Sequence, residues 1–383
     1  MSCMKLLRPV LRTVSFVVLI IVGQSFLLAH AQEKPLVVEQ GTFRLHKFEQ
    51  PIGEETYEIT RDGDSLAVAM NFMFTDRGSE VPLSATFRGS SDLSPRFFEI
   101  KGKTSRLSAI DEAVEVKEGT VRLRNRDQWV DAAPPKEFFT IAGYAPATMQ
   151  MLLVRYWATH GSPGELATLP TGRVKIESRG QDSIAVKGST EKLDRYLVEG
   201  LIWGRETLWF DAQHNLVAAV TLDAEFDHFE AIREGYESAL GTFVGRAGAD
   251  GMEALAGIGK SVSATDAETL ALTGATLVDG TGRPAISDSV VVVKKGRIVA
   301  AGPRARTKIP RDATAVDVHG KTILPGLWDM HAHFEQVEWG PIYLAAGVTT
   351  VRDCGNEFEF ITAVRDAIAA GHGLGPHLLL AGL

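Results

Sequence analysis

Cysteine is almost missing from this chain. There are two in 383 residues, Cys3 and Cys354, too few for a disulfide framework. Positive charge is not in excess: 40 Lys and Arg stand against 48 Asp and Glu, a formal net charge of −8. That leaves no basic surface of the kind nucleic acid binding requires. Beyond residue 28 there is no apolar run long enough to span a bilayer.

The first residues do carry such a run, with the marks of a leader. Lys5, Arg8 and Arg12 precede an apolar stretch, residues 14–28, interrupted by Ser15, Gly23, Gln24 and Ser25. Ala29-His30-Ala31 places small residues at −3 and −1 of a cut before Gln32. The expectation is a signal peptide over residues 1–31 and an exported protein, periplasmic or secreted, with no stable membrane insertion after cleavage. Cys3 lies ahead of the apolar run and is not placed to carry a lipid. Cys354 reads as a small core or rim residue, because nothing near it would lower its pKa.

Residues 32–260 read as a β-rich accessory domain. Tyr57 and Ile59 alternate with polar residues, Arg61-Asp62-Gly63-Asp64 makes a turn, and Leu66, Val68, Met70, Phe72 and Phe74 alternate again. Repeated hairpins of this kind predict a meander curled into a half-open barrel. A helix is expected over residues 146–160, with Met149, Leu152, Leu153 and Tyr156 on one face. Turns are expected at Glu118-Gly119 and at Arg179-Gly180-Gln181-Asp182. Ile232, Tyr236 and Leu240 recur at helical spacing, and the Gly- and Ala-rich stretch after them leads to a linker over residues 261–269. His46, His160, His214 and His228 are scattered and read as surface or turn residues.

The chemistry-bearing stretch is residues 322–353. An apolar run (Ile323, Leu324, Leu327, Trp328) comes before Asp329-Met330-His331-Ala332-His333, which fits a buried strand. Residues i and i+2 of a strand share a face, with Cα atoms roughly 6.5–7 Å apart. Two imidazoles so placed converge on one metal ion, each nitrogen about 2.0–2.1 Å from it. His331 and His333 are therefore the candidate metal ligands. Gly347-Val348-Thr349-Thr350-Val351-Arg352-Asp353 follows a short helical stretch as a second strand, a βαβ pattern with polar groups at the strand ends.

P-G-L-W-D-M-H-A-H followed by G-V-T-T-V-R-D resembles the metal-dependent amidohydrolase superfamily, in its imidazolonepropionase-like and prolidase-like branch. Residues 270–302, from Leu272-Thr273-Gly274 through Gly296-Arg297-Ile298-Val299, agree with it. The resemblance covers residues 270–383, under a third of the chain. It implies part of a β-sandwich over residues 270–321 and the first two to three strands of an incomplete TIM (β/α)₈ barrel over residues 322–383. The expected fold class is thus multidomain, α+β and α/β, with an N-terminal antiparallel β domain. Helices are expected over residues 341–346 and from a cap at Asn356 to about residue 370, and a third strand from His377.

The resemblance further implies hydrolysis of C–N bonds in a small amide, cyclic amide or dipeptide. The reaction would use a water activated by one or two divalent ions, zinc first. It places the general-base aspartate and the remaining ligands beyond residue 383, so no catalytic residue is expected within the chain. A (β/α)₈ barrel takes about 250 residues, and the expectation is a fragment inactive alone. Asp329, Arg352 and Asp353 are candidates to steady a ligand or touch substrate. His372 and His377 fall at a helix end and a strand start, the opposite end from His331 and His333. The competing expectation is a non-enzymatic exported β domain that binds a ligand, with a vestigial barrel remnant.

Overall fold

The computed structural model describes residues 35–103, 108–143, 146–170, 172–223, 227–262 and 267–381. The expected leader and Cys3 lie outside them. Residues Leu36–Leu383 form one compact unit.

The first eight strands form a meander: β1 (Leu36–Lys47), β2 (Gln50–Asp62), β3 (Ser65–Asp76), β4 (Ser79–Ser90), β5 (Pro95–Lys103), β6 (Ala109–Lys117), β7 (Thr120–Asn125) and β8 (Gln128–Ala132). Then come β9 (Phe138–Thr140), helix α1 (Ala147–Thr159) and β10 (Leu166–Leu169). A second meander follows: β11 (Arg173–Val186), β12 (Ser189–Glu199), β13 (Arg205–Phe210), β14 (Leu216–Leu222) and β15 (His228–Arg233). Antiparallel pairing of β1 with β15 joins the two meanders into one 15-stranded sheet. Its pairs are antiparallel except β9 with β10.

The sheet wraps around α1. Inward residues of both meanders, among them Phe43, Val68, Phe87, Phe98 and Leu208, share one core with Met149, Leu152 and Leu153 of the helix. This accounts for a helix buried along most of its length rather than on one stripe: Ala147 to Val154 are all buried. Each fully buried Met, Leu or Val among them contributes about 1.5–3 kcal/mol. Glu55 points inward from β2 and accepts the backbone N–H groups of Ala147 (2.7 Å) and Thr148 (2.9 Å). These are donors the first turn of a helix leaves unpaired.

Two expected features of this region differ. Residues 179–182 are not a turn. β11 runs through them, and its register with β12 shifts between Ser178 and Gln181. Gly180, at φ +82°, supplies the backbone geometry of a bulge. The stretch after residue 227 is not helical at first either. His228–Arg233 is strand β15, because pairing to β1 and β14 outweighs a local helical spacing. The helix begins only at α2 (Leu240–Val262) and continues through the Gly-rich part. The glycines there are packing positions. A Cβ on Gly248 would lie 3.0 Å from the Phe360 ring and one on Gly251 3.0 Å from Val337.

Residues 269–323 form a five-stranded sheet: β16 (Thr269–Leu277), β17 (Ile286–Lys294), β18 (Arg297–Pro303), β19 (Thr314–Asp317) and β20 (Thr322–Ile323). Its small core is Ala271, Val290 and Val292. The last elements are β21 (Leu327–Ala332), α3 (Trp339–Ala345), β22 (Val348–Asp353), α4 (Phe358–Ala369) and β23 (His377–Leu380). The three strands are parallel, in the order β21-β22-β23. Asn356 does not cap α4. Its Oδ1 accepts the Glu357 N–H (2.9 Å) and its Nδ2 donates to the Phe334 carbonyl (2.8 Å), so the helix starts two residues later.

One face of this small sheet is covered. Val351, Leu378, Phe334 and Val364 pack with α2 and with the outer face of the large sheet (Val186, Trp209, Val217, Ile232) in a second core. The other face is open. The apolar run expected to be buried is therefore exposed: Leu324 at 57%, Leu327 at 54% and Trp328 at 61%.

Candidate functional site

β21 delivers the two histidines to its C-terminal end. Ala332 and Phe334 are buried against the second core, and alternation along the chain turns His331 and His333, between and beside them, to the open face. Their ring centres are 5.6 Å apart with 59° between planes. Two imidazoles sharing one ion, each nitrogen about 2.0–2.1 Å from it, bring their centres to roughly 5–6 Å. His333 Nδ1 lies 3.0 Å from the Gly355 carbonyl oxygen. With the proton on Nδ1, the ring donates there and Nε2 keeps its lone pair. A ligating histidine is ordinarily oriented in this way.

The other expected residues fall around this strand end in different roles. Asp329 Oδ1 accepts the His331 backbone N–H at 3.1 Å and so fixes the main chain. Asp353 is buried; it accepts the N–H groups of Phe334 (2.7 Å) and Gly355 (3.2 Å). Those contacts position the segment that carries His333. Arg352 is exposed and donates to the Met330 carbonyl at 3.4 Å. His377 pairs in register with Thr350, which pairs with Trp328, so it sits at the other end of the sheet. His372, in the turn after α4, is exposed. Neither joins the pair. The donor set on this stretch suits a divalent metal in type, but it supplies two ligands.

The group of three or more His, Cys, Asp or Glu side chains that could share an ion among the described residues lies elsewhere: His228, Glu230 and Glu357, all buried, with ligand atoms within 4.8 Å of one another. This is the seam between the large sheet and the C-terminal elements. His228 and Glu230 share the outer face of β15, since Phe229 and Ala231 belong to the core around α1. Glu357 stands just ahead of α4. His228 Nε2 is 2.5 Å from the Glu335 carbonyl, its Nδ1 meets Glu357 Oε2, and the Phe360 ring closes over it at 4.3 Å.

Burial governs the electrostatics of the seam. It pushes Glu357 up to about 8 and Glu335 up to about 7, and raises Glu230 well above the usual carboxylate range. It lowers His228. His228, expected at the surface, is 2% exposed, and His46 is buried as well. The signal that could have found the site is His228-Phe229-Glu230, an alternation on a strand that a helical reading hides.

No protein-family model matches the chain. It is 43% identical over 53 residues to an imidazolonepropionase of Rhizobium rhizogenes, 14% of this chain and 13% of that protein. It is 33% identical over 82 residues to an enamidase of Eubacterium barkeri, 19% of this chain and 21% of that protein. Among solved structures, molinate hydrolase aligns over 30% of each chain at 30% identity with a TM-score of 0.28. A beta-barrel-like protein of a domain of unknown function from Brucella abortus aligns over 52% of this chain and 97% of that one, at 8% identity and a TM-score of 0.35. The chain spans 13% and 21% of the two curated relatives' lengths. Taken with the P-G-L-W-D-M-H-A-H and G-V-T-T-V-R-D motifs, these local matches support membership of the amidohydrolase superfamily over part of the chain.

Proposed function

We propose that this is an exported metal-dependent amidohydrolase, acting on the C–N bond of a small amide, cyclic amide or dipeptide. His331 and His333 would hold a divalent cation, zinc first. The observation that carries the reading is the side-by-side pair of rings at a strand end, one already tied through Nδ1 to a backbone carbonyl. When bound, such a cation lowers the pKa of a water and polarises a carbonyl.

The chain's own residues prepare that arrangement. Asp329 and Asp353 fix the backbone on either side of the ligands, and Ala332 and Phe334 anchor the strand so that both imidazoles face outward. Arg352, exposed on the neighbouring strand, is available to an anionic substrate group. Catalytic zinc sites use three protein ligands, so this stretch is assigned the holding of the ion and not the complete reaction. Zinc titration of the full chain tests the proposal: weak binding lost in His331→Ala/His333→Ala supports it, and an unchanged stoichiometry refutes it. Export is tested by N-terminal sequencing of protein recovered outside the cytoplasm; Gln32 should come first, and a retained Met1 would contradict cleavage.

One observation favours the second reading, a ligand-binding β domain. Phe72, Phe74, Leu83 and Phe229 line a cavity of about 60 Å³ inside the half barrel, beside buried Glu206 and Gln150. Glu206 Oε2 and Gln150 Oε1 have no hydrogen-bond partner. This reading predicts binding of an apolar amine that survives His331→Ala/His333→Ala and is lost in Glu206→Leu.

A further inference from the structure

The pair on β21 leaves a second set of metal-type donors unexplained. His228, Glu230 and Glu357 meet where the large sheet docks on α4, in a place from which water is almost wholly excluded. Three features of the contact call for a shared proton or a cation.

The first is the histidine. Its Nε2 proton is directed to the Glu335 carbonyl, so the Nδ1 lone pair faces a Glu357 carboxylate oxygen. Lone pair against lone pair is repulsive unless a proton or a cation lies between. The second is the pair of carboxyls. Glu230 Oε1 and Glu357 Oε1 are buried and have no hydrogen-bond partner, an arrangement that costs about 1–3 kcal/mol or more for each group. The third is the surroundings: among the described residues the ion-pair partner of Glu357 is His228 itself.

We infer that His228, Glu230 and Glu357 form a buried site for a first-row divalent cation of the zinc or manganese class, which clamps β15 to the start of α4. One imidazole and two carboxylates make a donor set for such ions, and too nitrogen-rich a set for calcium or magnesium. The Nε2–carbonyl contact supplies the outer support that a ligating histidine needs. The role is structural: the ion replaces protons on buried acids and ties two parts of the chain that are far apart in sequence.

The test uses the full chain, stripped with a chelator and titrated with ZnCl₂ at pH 7.5. Melting temperature and bound zinc by native mass spectrometry are both read. In the His331→Ala/His333→Ala background, one zinc should still bind and raise the melting temperature by roughly 3–5 °C at hundredfold excess over Kd. In Glu230→Gln/Glu357→Gln, that ion and that rise should both vanish, while any zinc held by His331 and His333 remains. If the Gln variants do not fold, His228→Gln alone serves, with the same expected loss. Zinc that fails to stabilise the His331→Ala/His333→Ala protein would overturn the inference and show a proton-sharing acid pair instead. A rise that persists in the Gln variants would overturn it too. Neither result bears on the proposal for His331 and His333, whose ion is counted separately.

Discussion

Two histidine sites in this molecule use the same local spacing and reach opposite environments. His331-Ala332-His333 ends a strand whose far face is open, and both rings are exposed. His228-Phe229-Glu230 lies on a central strand of the large sheet, and both side chains are buried under α4. In the first, ligand geometry comes from adjacent residues, so a short motif carries it. In the second, the third group arrives from Glu357, more than a hundred positions along the chain, and only the docking of two layers assembles it. An exposed pair can exchange with solvent and substrate. A sealed one can hold the fold.

The comparison rests on the outer core that joins the layers, so the strongest way to break it is to empty that core. Trp209 is fully buried, its ring centre lies 4.9 Å from that of Phe243 of α2 with the planes tilted by 55°, and it donates to Asp182 at 2.8 Å. Trp209→Ala should cost about 3–5 kcal/mol in denaturant unfolding. A loss under 1 kcal/mol would mean that the layers do not fold as one.

Acidity acts next, and it reads most simply at the two acids buried around α1, away from the groups proposed to hold a metal. Burial pushes Glu55 and Glu206 up to about 7 each, outweighing the hydrogen bonds both accept. An acid whose folded pKa is raised favours the fold while protonated, and that contribution fades as pH climbs from its unfolded value through its folded one. Stability should therefore fall between pH 5 and pH 8, by up to roughly 3 kcal/mol per group. Thermal melts across that window check it; a rise with pH would contradict it.

The contact between α2 and α4 offers a pair of opposite effects. Gly248→Val pushes a side chain into Phe360 and should destabilise by about 1–3 kcal/mol. Gly257→Ala meets nothing within 4 Å and sits within the same helix, so it should stabilise by about 0.5–1 kcal/mol. Chemical denaturation of both variants distinguishes a packed glycine from a merely permissive one. The smallest effect belongs to the exposed pair: without metal, His331→Ala/His333→Ala should stay within about 0.5 kcal/mol of the parent.

The strand alternation of residues 57–87, the helix near residue 147 and the first two parallel strands were legible because their patterns are local; the third strand followed from the family resemblance. Burial of Tyr57, Val68 or Met70 follows from period-two spacing alone. What misled was coincidence of period. Ile232, Tyr236 and Leu240 fall at helical intervals, yet Ile232 is on β15 and Leu240 opens α2. That error also scattered His228 and Glu230, whose shared face exists only on a strand. The glycines of residues 245–251 looked like loosened chain, because close helix packing leaves no mark besides small residues. Leu324, Leu327 and Trp328 read as buried because apolarity alone does not say which face of a sheet is covered.

The central claim is that the rings of His331 and His333 turn toward one ion. A zinc-edge anomalous difference map, from crystals of the full chain soaked in ZnCl₂, tests it most directly. The account predicts a peak in contact with both rings, on the side of His333 away from Gly355. Rings pointing apart, with no peak between them at saturating zinc, would contradict it.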